Sequence, residues 1–285
     1  MKVRLLGLLS ALALFFVAAV PAAADDPGEG NTYLALGDSV TFGFSPLLNR
    51  SNASNFIGYP AIVGERLQMS VTNPACSGEA TGSFISMTGL DNACRPYRAF
   101  FPLHVNYAGT QLAFAVNFLK NNPNTSLVTF MLDANDFFRV SEGTPGPAPW
   151  PPSGCYTPDL VTYFATCAVQ NITTIFKAIR GTGYQGLLVV LTYYALDYTS
   201  IPGLLVTQGL LNKAMLTAGA PFGITVADGF GAFQQAAAPF GGSSCKAGLL
   251  IVLSTSPLTC DVHPTPKGRD LLAGAVVRAV QDAQS

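Results

Sequence analysis

Three short apolar runs constrain this chain more than any other feature of its sequence. Residues 33–36 (YLAL) lead into Gly37-Asp38-Ser39, residues 126–132 (SLVTFML) lead into Asp133-Ala134-Asn135-Asp136, and residues 187–192 (LLVVLT) form a third run. Runs of this length without polar alternation read as strands buried on both faces. Between them lie helical patterns at residues 59–69, at 109–119, where Leu112, Ala115, Val116 and Leu119 recur at helical spacing, and at 160–180. Residues 70–75 and 224–226 read as further strands, and residues 266–283 as a closing helix. Strands alternating with helices predict an α/β fold, a three-layer α/β/α sandwich with a central parallel sheet. In open sheets of this kind, sites form beyond the carboxyl ends of the strands. The clusters after residues 36 and 132, together with Cys76-Ser77-Gly78, therefore converge on one rim, where Asp261-Val262-His263-Pro264 can join them.

The first 24 residues stand apart from this pattern. Lys2 and Arg4 precede an apolar run from residue 5 to residue 20, and Ala22-Ala23-Ala24 offers small residues for cleavage. That is the layout of a secretory signal peptide. The run is marginal for a membrane span, which needs ~20 apolar residues, so an uncleaved anchor is the competing reading. Cleavage after Ala24 leaves residues 25–285 as one domain of a secreted protein, extracellular or periplasmic. Residues 25–31 form a polar lead-in, and residues 143–158, with six prolines and the single tryptophan Trp150, form a long irregular loop.

Export also decides how the six cysteines are read. In an oxidising compartment they pair as disulfides. Nearest-neighbour pairing joins Cys76 to Cys94, Cys155 to Cys167 and Cys245 to Cys260, each closing a loop worth ~3 kcal/mol in the chain-entropy treatment. Zinc is the alternative, but there is no C-x-x-C pair and there are two histidines. Charged residues make up 11% of the chain and the formal net charge is -1, so nothing here attracts nucleic acid or an anionic membrane.

A serine hydroxyl needs a base within hydrogen-bond reach and donors for the oxyanion that forms. Histidine is the usual base. His263 sits in a polar stretch before a helix, whereas His104 sits among Phe101, Pro102, Leu103 and Val105 and reads as a packing or substrate-wall residue. Ser39 follows a strand and a glycine, although Gly-Asp-Ser by itself is also good turn chemistry.

Four separated blocks give these residues their meaning. Leu36-Gly37-Asp38-Ser39, Gly78 after Ala75-Cys76-Ser77, Asn135-Asp136, and His263-Pro264 occur in that order across nearly the whole mature chain. In this the chain resembles the GDSL, or SGNH, hydrolase superfamily. The resemblance implies Ser39 as nucleophile and His263 as general base. It implies an oxyanion hole from the backbone N–H groups of Ser39 and Gly78 and the side chain of Asn135. It implies hydrolysis of carboxylic esters of lipid, sugar or other small-molecule type, with no cofactor, no metal and no obligatory protein partner. Two positions depart from the family pattern. Asp133 stands where the third block has glycine, and Cys260 stands where the fourth block has aspartate, three residues before His263. The nearest acid is Asp261, which either orients the imidazole as the third catalytic residue or leaves that task to a backbone carbonyl. A non-catalytic binding protein on the same fold and an acyltransferase are the other readings.

Cys76 lies two residues before Gly78 and Cys260 three before His263, so these disulfides either tether catalytic loops or stabilise surface loops. Phe101, Phe137, Phe138, Trp150 and Tyr156 are candidates for an acyl pocket or for ordinary packing. Asn49, Asn52, Asn124 and Asn171 open Asn-x-Ser/Thr triplets.

Overall fold

A computed structural model describes residues 31–143, 157–199 and 202–285. The leader, most of the lead-in and most of the proline-rich loop, with Trp150, Cys155 and Tyr156, lie outside the described residues. The chain opens with β1 (Thr32–Gly37) and α1 (Ser39–Phe42), followed by α2 (Tyr59–Leu67), β2 (Ser70–Thr72), α3 (Thr81–Ile85), α4 (Cys94–Phe100) and α5 (Gln111–Asn121). It continues through β3 (Thr125–Met131), α6 (Ala134–Ser141), α7 (Leu160–Thr162), a π-helical turn (Tyr163–Ala168) and α8 (Val169–Arg180). The last part holds β4 (Leu187–Leu191), α9 (Pro202–Gly219), β5 (Ile224–Ala227), α10 (Gly229–Ala237), β6 (Leu250–Thr255), β7 (Leu258–Pro264) and α11 (Pro266–Gln284).

The expected sandwich is present. Five parallel strands run in the order β2-β1-β3-β4-β5. The three apolar runs are its centre, and β1, β3 and β4 are buried almost throughout. The edge strands β2 and β5 are short and half-exposed. Helices α2, α10 and α11 cover one face and α3, α5, α8 and α9 the other. Phe130 of β3 packs edge-on against Phe84 and Phe176. The hydroxyls of Tyr33 and Tyr59 both meet Thr129 Oγ1, at 2.7 and 3.2 Å, which satisfies the polar atom of an otherwise apolar strand.

The strand order reverses between β1 and β3, since the chain winds outward from β1 to β2 and then crosses to β3. Ligands of open sheets bind at such a switch point. Register places Gly37 beside Met131, so both strands end level at the same rim.

The sequence pattern missed helices α3, α4, α6, α9 and α10, and one further unit. Residues 250–264 form an antiparallel hairpin, β6–β7, outside the main sheet, with an irregular register between Leu250↔Pro264 and Thr255↔Leu258. The stretch read as a polar lead into the last helix is thus the second strand of that hairpin. The helix expected over 160–180 is interrupted by the π-helical turn. Asn171, one of the four glycosylation triplets, is buried and donates to Thr81 Oγ1 at 2.9 Å, which leaves no room for a glycan. Asn49, Asn52 and Asn124 are exposed.

Candidate active site

Ser39 is the first residue of α1. Asp38 caps that helix, its Oδ1 accepting from Val40 N–H at 2.9 Å. As the opening residue, Ser39 has a backbone N–H without a partner inside the helix. The strand end before it is held from both sides by Gln111. The Gln111 Oε1 accepts from Gly37 N–H at 2.9 Å and its Nε2 donates to the Gly37 carbonyl at 3.0 Å. Neither Gln111 nor Tyr193, whose hydroxyl donates to Asp38 Oδ2, stood out in the sequence. Their side chains reach the site from α5 and from the turn after β4, and only the packed layers bring them there.

His263 arrives from the hairpin. Its Nε2 lies 2.8 Å from Ser39 Oγ, and its Nδ1 is hydrogen-bonded to Asp261 Oδ1. The same carboxylate oxygen accepts from the His263 backbone N–H at 3.0 Å. A carboxylate two residues before the histidine therefore reaches the imidazole by curling over one residue of strand. Partial burial pushes the Asp261 carboxyl up, but its hydrogen bonds to His263 outweigh this and hold it below its ordinary range. The partner of His263 Nδ1 in the structure is thus the Asp261 carboxylate and not a backbone carbonyl. Phe44 packs edge-on against the imidazole at 5.0 Å. Tyr194 donates from its hydroxyl to the Val262 carbonyl at 2.6 Å, tying the sheet to the hairpin one residue before His263.

Asn135 lies in the first turn of α6, just beyond β3. Its Nδ2 donates to the Glu79 carbonyl at 2.9 Å, and its Oδ1 accepts from Asn92 Nδ2 at 2.8 Å. Asn92 thereby fixes which end of the Asn135 amide faces the site. The Asn92 backbone N–H also donates to the Gly78 carbonyl at 3.0 Å. Gly78 has φ +87°, and a β-carbon there would lie 1.9 Å from the Asn92 carbonyl oxygen, so this position requires glycine. One segment, residues 91–94, thus sets both Gly78 and Asn135. It carried no signal in the sequence beyond Cys94.

The disulfides follow the expected pairing where they are described. Cys76 is bonded to Cys94 and Cys245 to Cys260. The first pins the Gly78 loop to the segment carrying Asn92. The second pins β7 three residues before His263. Cys167 is buried, and its assigned partner Cys155 lies outside the described residues. Among the described residues, the cluster of metal-ligand size is Cys76, Glu79 and Cys94, and its two sulfurs are bonded to each other.

Beneath the site lies a group of buried carboxyls. Burial pushes Asp38 up to about 6, against the pull of its bonds from Tyr193 and Val40. It pushes Glu79 up to about 7, against bonds from Ser83 and Gln111. Asp133, at the family's glycine position, is fully buried with φ +113°, and neither of its carboxyl oxygens has a hydrogen-bond partner. Burial, with Asp136 and Asp38 nearby, raises it well above its ordinary value. Its side chain is packed inside rather than set on the rim.

Ser39, Gly78, Asn135 and His263 line one cavity of about 300 Å³, which continues past Phe137 and Phe138. Phe101 belongs instead to a separate apolar cluster with Phe42 and Cys94. His104 packs there too, its ring 4.6 Å from Phe42 and its Nε2 hydrogen-bonded to the Phe42 carbonyl at 2.9 Å. His104 is itself exposed and does not line the Ser39 cavity.

No curated protein matches the chain in sequence. Solved structures do match in fold. Acetylxylan esterase Axe2 from Geobacillus stearothermophilus superposes with a TM-score of 0.51 at 16% identity, over 89% of this chain and 95% of that one. LAE5, an α/β hydrolase from the metagenome of Lake Arreo, gives 0.53 at 15% identity, over 89% and 96%. A protein assigned as a GDSL-like lipase from Parabacteroides merdae gives 0.53 at 16% identity, over 89% and 96%. The family model of the GDSL-like lipases and acylhydrolases matches residues 35–271, a span that runs from the strand before Ser39 to beyond His263, and the chain belongs to that family.

Proposed function

We propose that this chain is an exported carboxylic-ester hydrolase that works through an acyl-enzyme on Ser39. The observation that carries the reading is the continuous line Asp261–His263–Ser39, opening on a cavity lined by Gly78 and Asn135. His263 Nε2 takes the proton of Ser39 Oγ as the oxygen attacks the ester carbonyl. The tetrahedral oxyanion is met by the N–H groups of Ser39 and Gly78 and by Asn135 Nδ2. The intermediate collapses as His263 gives its proton to the leaving alcohol. Water, deprotonated by His263, then attacks the acyl-enzyme, and the carboxylic acid leaves with Ser39 restored. Asp261 holds the imidazole in the tautomer with Nδ1–H and stabilises its charged form.

Export is supported by the basic and apolar leader with its alanine cleavage site and by the two disulfides of the described domain. A fluorophosphonate probe should label the wild-type protein and fail on Ser39→Ala, and ester hydrolysis should be lost with it. Undiminished hydrolysis by Ser39→Ala would refute the mechanism. The exported protein should begin at Asp25 by N-terminal sequencing.

A further inference from the structure

We propose that the site selects esters whose acyl part is an apolar chain of medium length; this rests on the ester-hydrolase reading above. The cavity at Ser39 is walled by Phe137, Phe138, Leu196, Leu211 and Val262. Its volume of about 300 Å³ is at the small end for a ligand cavity.

Of the polar side chains along the wall, Asn92, Asp38 and Tyr193 are already committed, whereas Gln208 Oε1 has no hydrogen-bond partner and is the single buried acceptor left free there among the described residues. Asn92 Nδ2 is bonded to Asn135, and Asp38 and Tyr193 are bonded to each other. A sugar in this cavity would bury hydroxyls against phenyl and isobutyl groups, and each unpaired hydroxyl weakens binding. An acetyl group would leave the same wall without partner atoms. An alkyl chain satisfies it.

The direction of the chain follows from the chemistry. His263 must face the leaving oxygen, and it comes from the hairpin. Phe138 stands three residues after Asn135 on α6, hence on nearly the same face as the oxyanion donor. Leu211 faces it from α9. The acyl chain runs over α6 and α9, and the alcohol leaves on the hairpin side.

The test is a series of p-nitrophenyl esters given to the wild-type protein, together with acetylated xylan. Each added methylene should raise kcat/KM about threefold while the chain stays within the cavity. The octanoyl ester should exceed the acetyl ester at least thirtyfold, and the hexadecanoyl ester should fall back. Leu196→Trp, which narrows the cavity, should lower the octanoyl-to-acetyl ratio at least fivefold with its urea midpoint kept. If that variant does not fold, the wild-type series still decides. Highest activity on the acetyl ester or on acetylated xylan, with Ser39 labelled by fluorophosphonate, overturns the acyl preference and leaves the hydrolase reading standing. No hydrolysis and no labelling overturn both.

Discussion

The two halves of the site are positioned by different physics. Ser39 and Asn135 follow β1 and β3, the innermost strands of the sheet, and both are buried. Their places are consequences of core packing, because those strands cannot shift without exposing their apolar faces. His263 and Asp261 ride on a two-stranded hairpin with Leu253 and Leu258 exposed, a unit of marginal stability by itself. Gly78 lies on an irregular loop. At both of the latter places a disulfide does what the sheet does elsewhere: Cys245–Cys260 for the hairpin and Cys76–Cys94 for the loop. The two cross-links differ in setting: Cys76–Cys94 is buried in the apolar cluster with Phe42, whereas Cys245 and Cys260 are partly buried against the main core.

The sharpest way to test the hairpin half is Asp261→Asn. The amide cannot stabilise the imidazolium and favours the wrong tautomer, so kcat should fall about 10⁴-fold. A loss below tenfold, ~1.4 kcal/mol, would show that the short route from Asp261 to His263 is dispensable. On the sheet half, Asn135→Ala should lower kcat by ~10²–10³ with little change in KM. Asn92→Ala should reproduce part of that loss, since it frees the Asn135 amide to turn.

The double variant Cys245→Ser/Cys260→Ser should separate the halves. Loss of a native cross-link costs about 2–5 kcal/mol, and here the cost should fall on the hairpin. Activity should vanish at lower urea than the circular dichroism of the sheet. Coincident curves would mean that hairpin and sheet unfold as one.

The sheet half has its own signature in pH. Asp38 and Glu79 are raised from 3.8 and 4.5 to about 6 and about 7. A carboxyl raised on folding binds its proton more tightly in the folded state. Its contribution is therefore full below pH ~4 and is lost as pH climbs through the folded values. Each amounts to on the order of 3 kcal/mol. Asp261, lowered instead, contributes in the opposite sense, but it is partly exposed and the smaller influence. Urea midpoints should thus be higher at pH 5 than at pH 8, and a flat or rising profile would contradict the buried-carboxyl picture. The smallest effect is at Asp133. Replacing it by glycine relieves a positive φ and removes an unpartnered buried carboxyl, and should raise stability by about 1 kcal/mol or more.

Much of this molecule was readable in one dimension. Continuous apolar runs at 33–36, 126–132 and 187–192 could be satisfied only by strands covered on both faces, so the layered parallel sheet followed. The polar clusters at their ends located Ser39 and Asn135, because a strand end in such a sheet is a rim position. The spacing of the cysteines matched the two described pairs, since short loops close most easily. Other features needed the third dimension. The hairpin at 250–264 was hidden because its outward side chains do not alternate cleanly and its register is broken. Gln111, Asn92 and Tyr193 were invisible because their roles depend on which group each meets across 74, 43 and 155 residues of chain. Even the hydrogen bond between His263 and Asp261, one residue away from the family position, is visible only in the geometry. Local patterns determine which segments are strands and helices, because they report the side chain's need for burial. Which hydrogen-bond partners meet at the rim is a long-range fact, decided only when the layers pack.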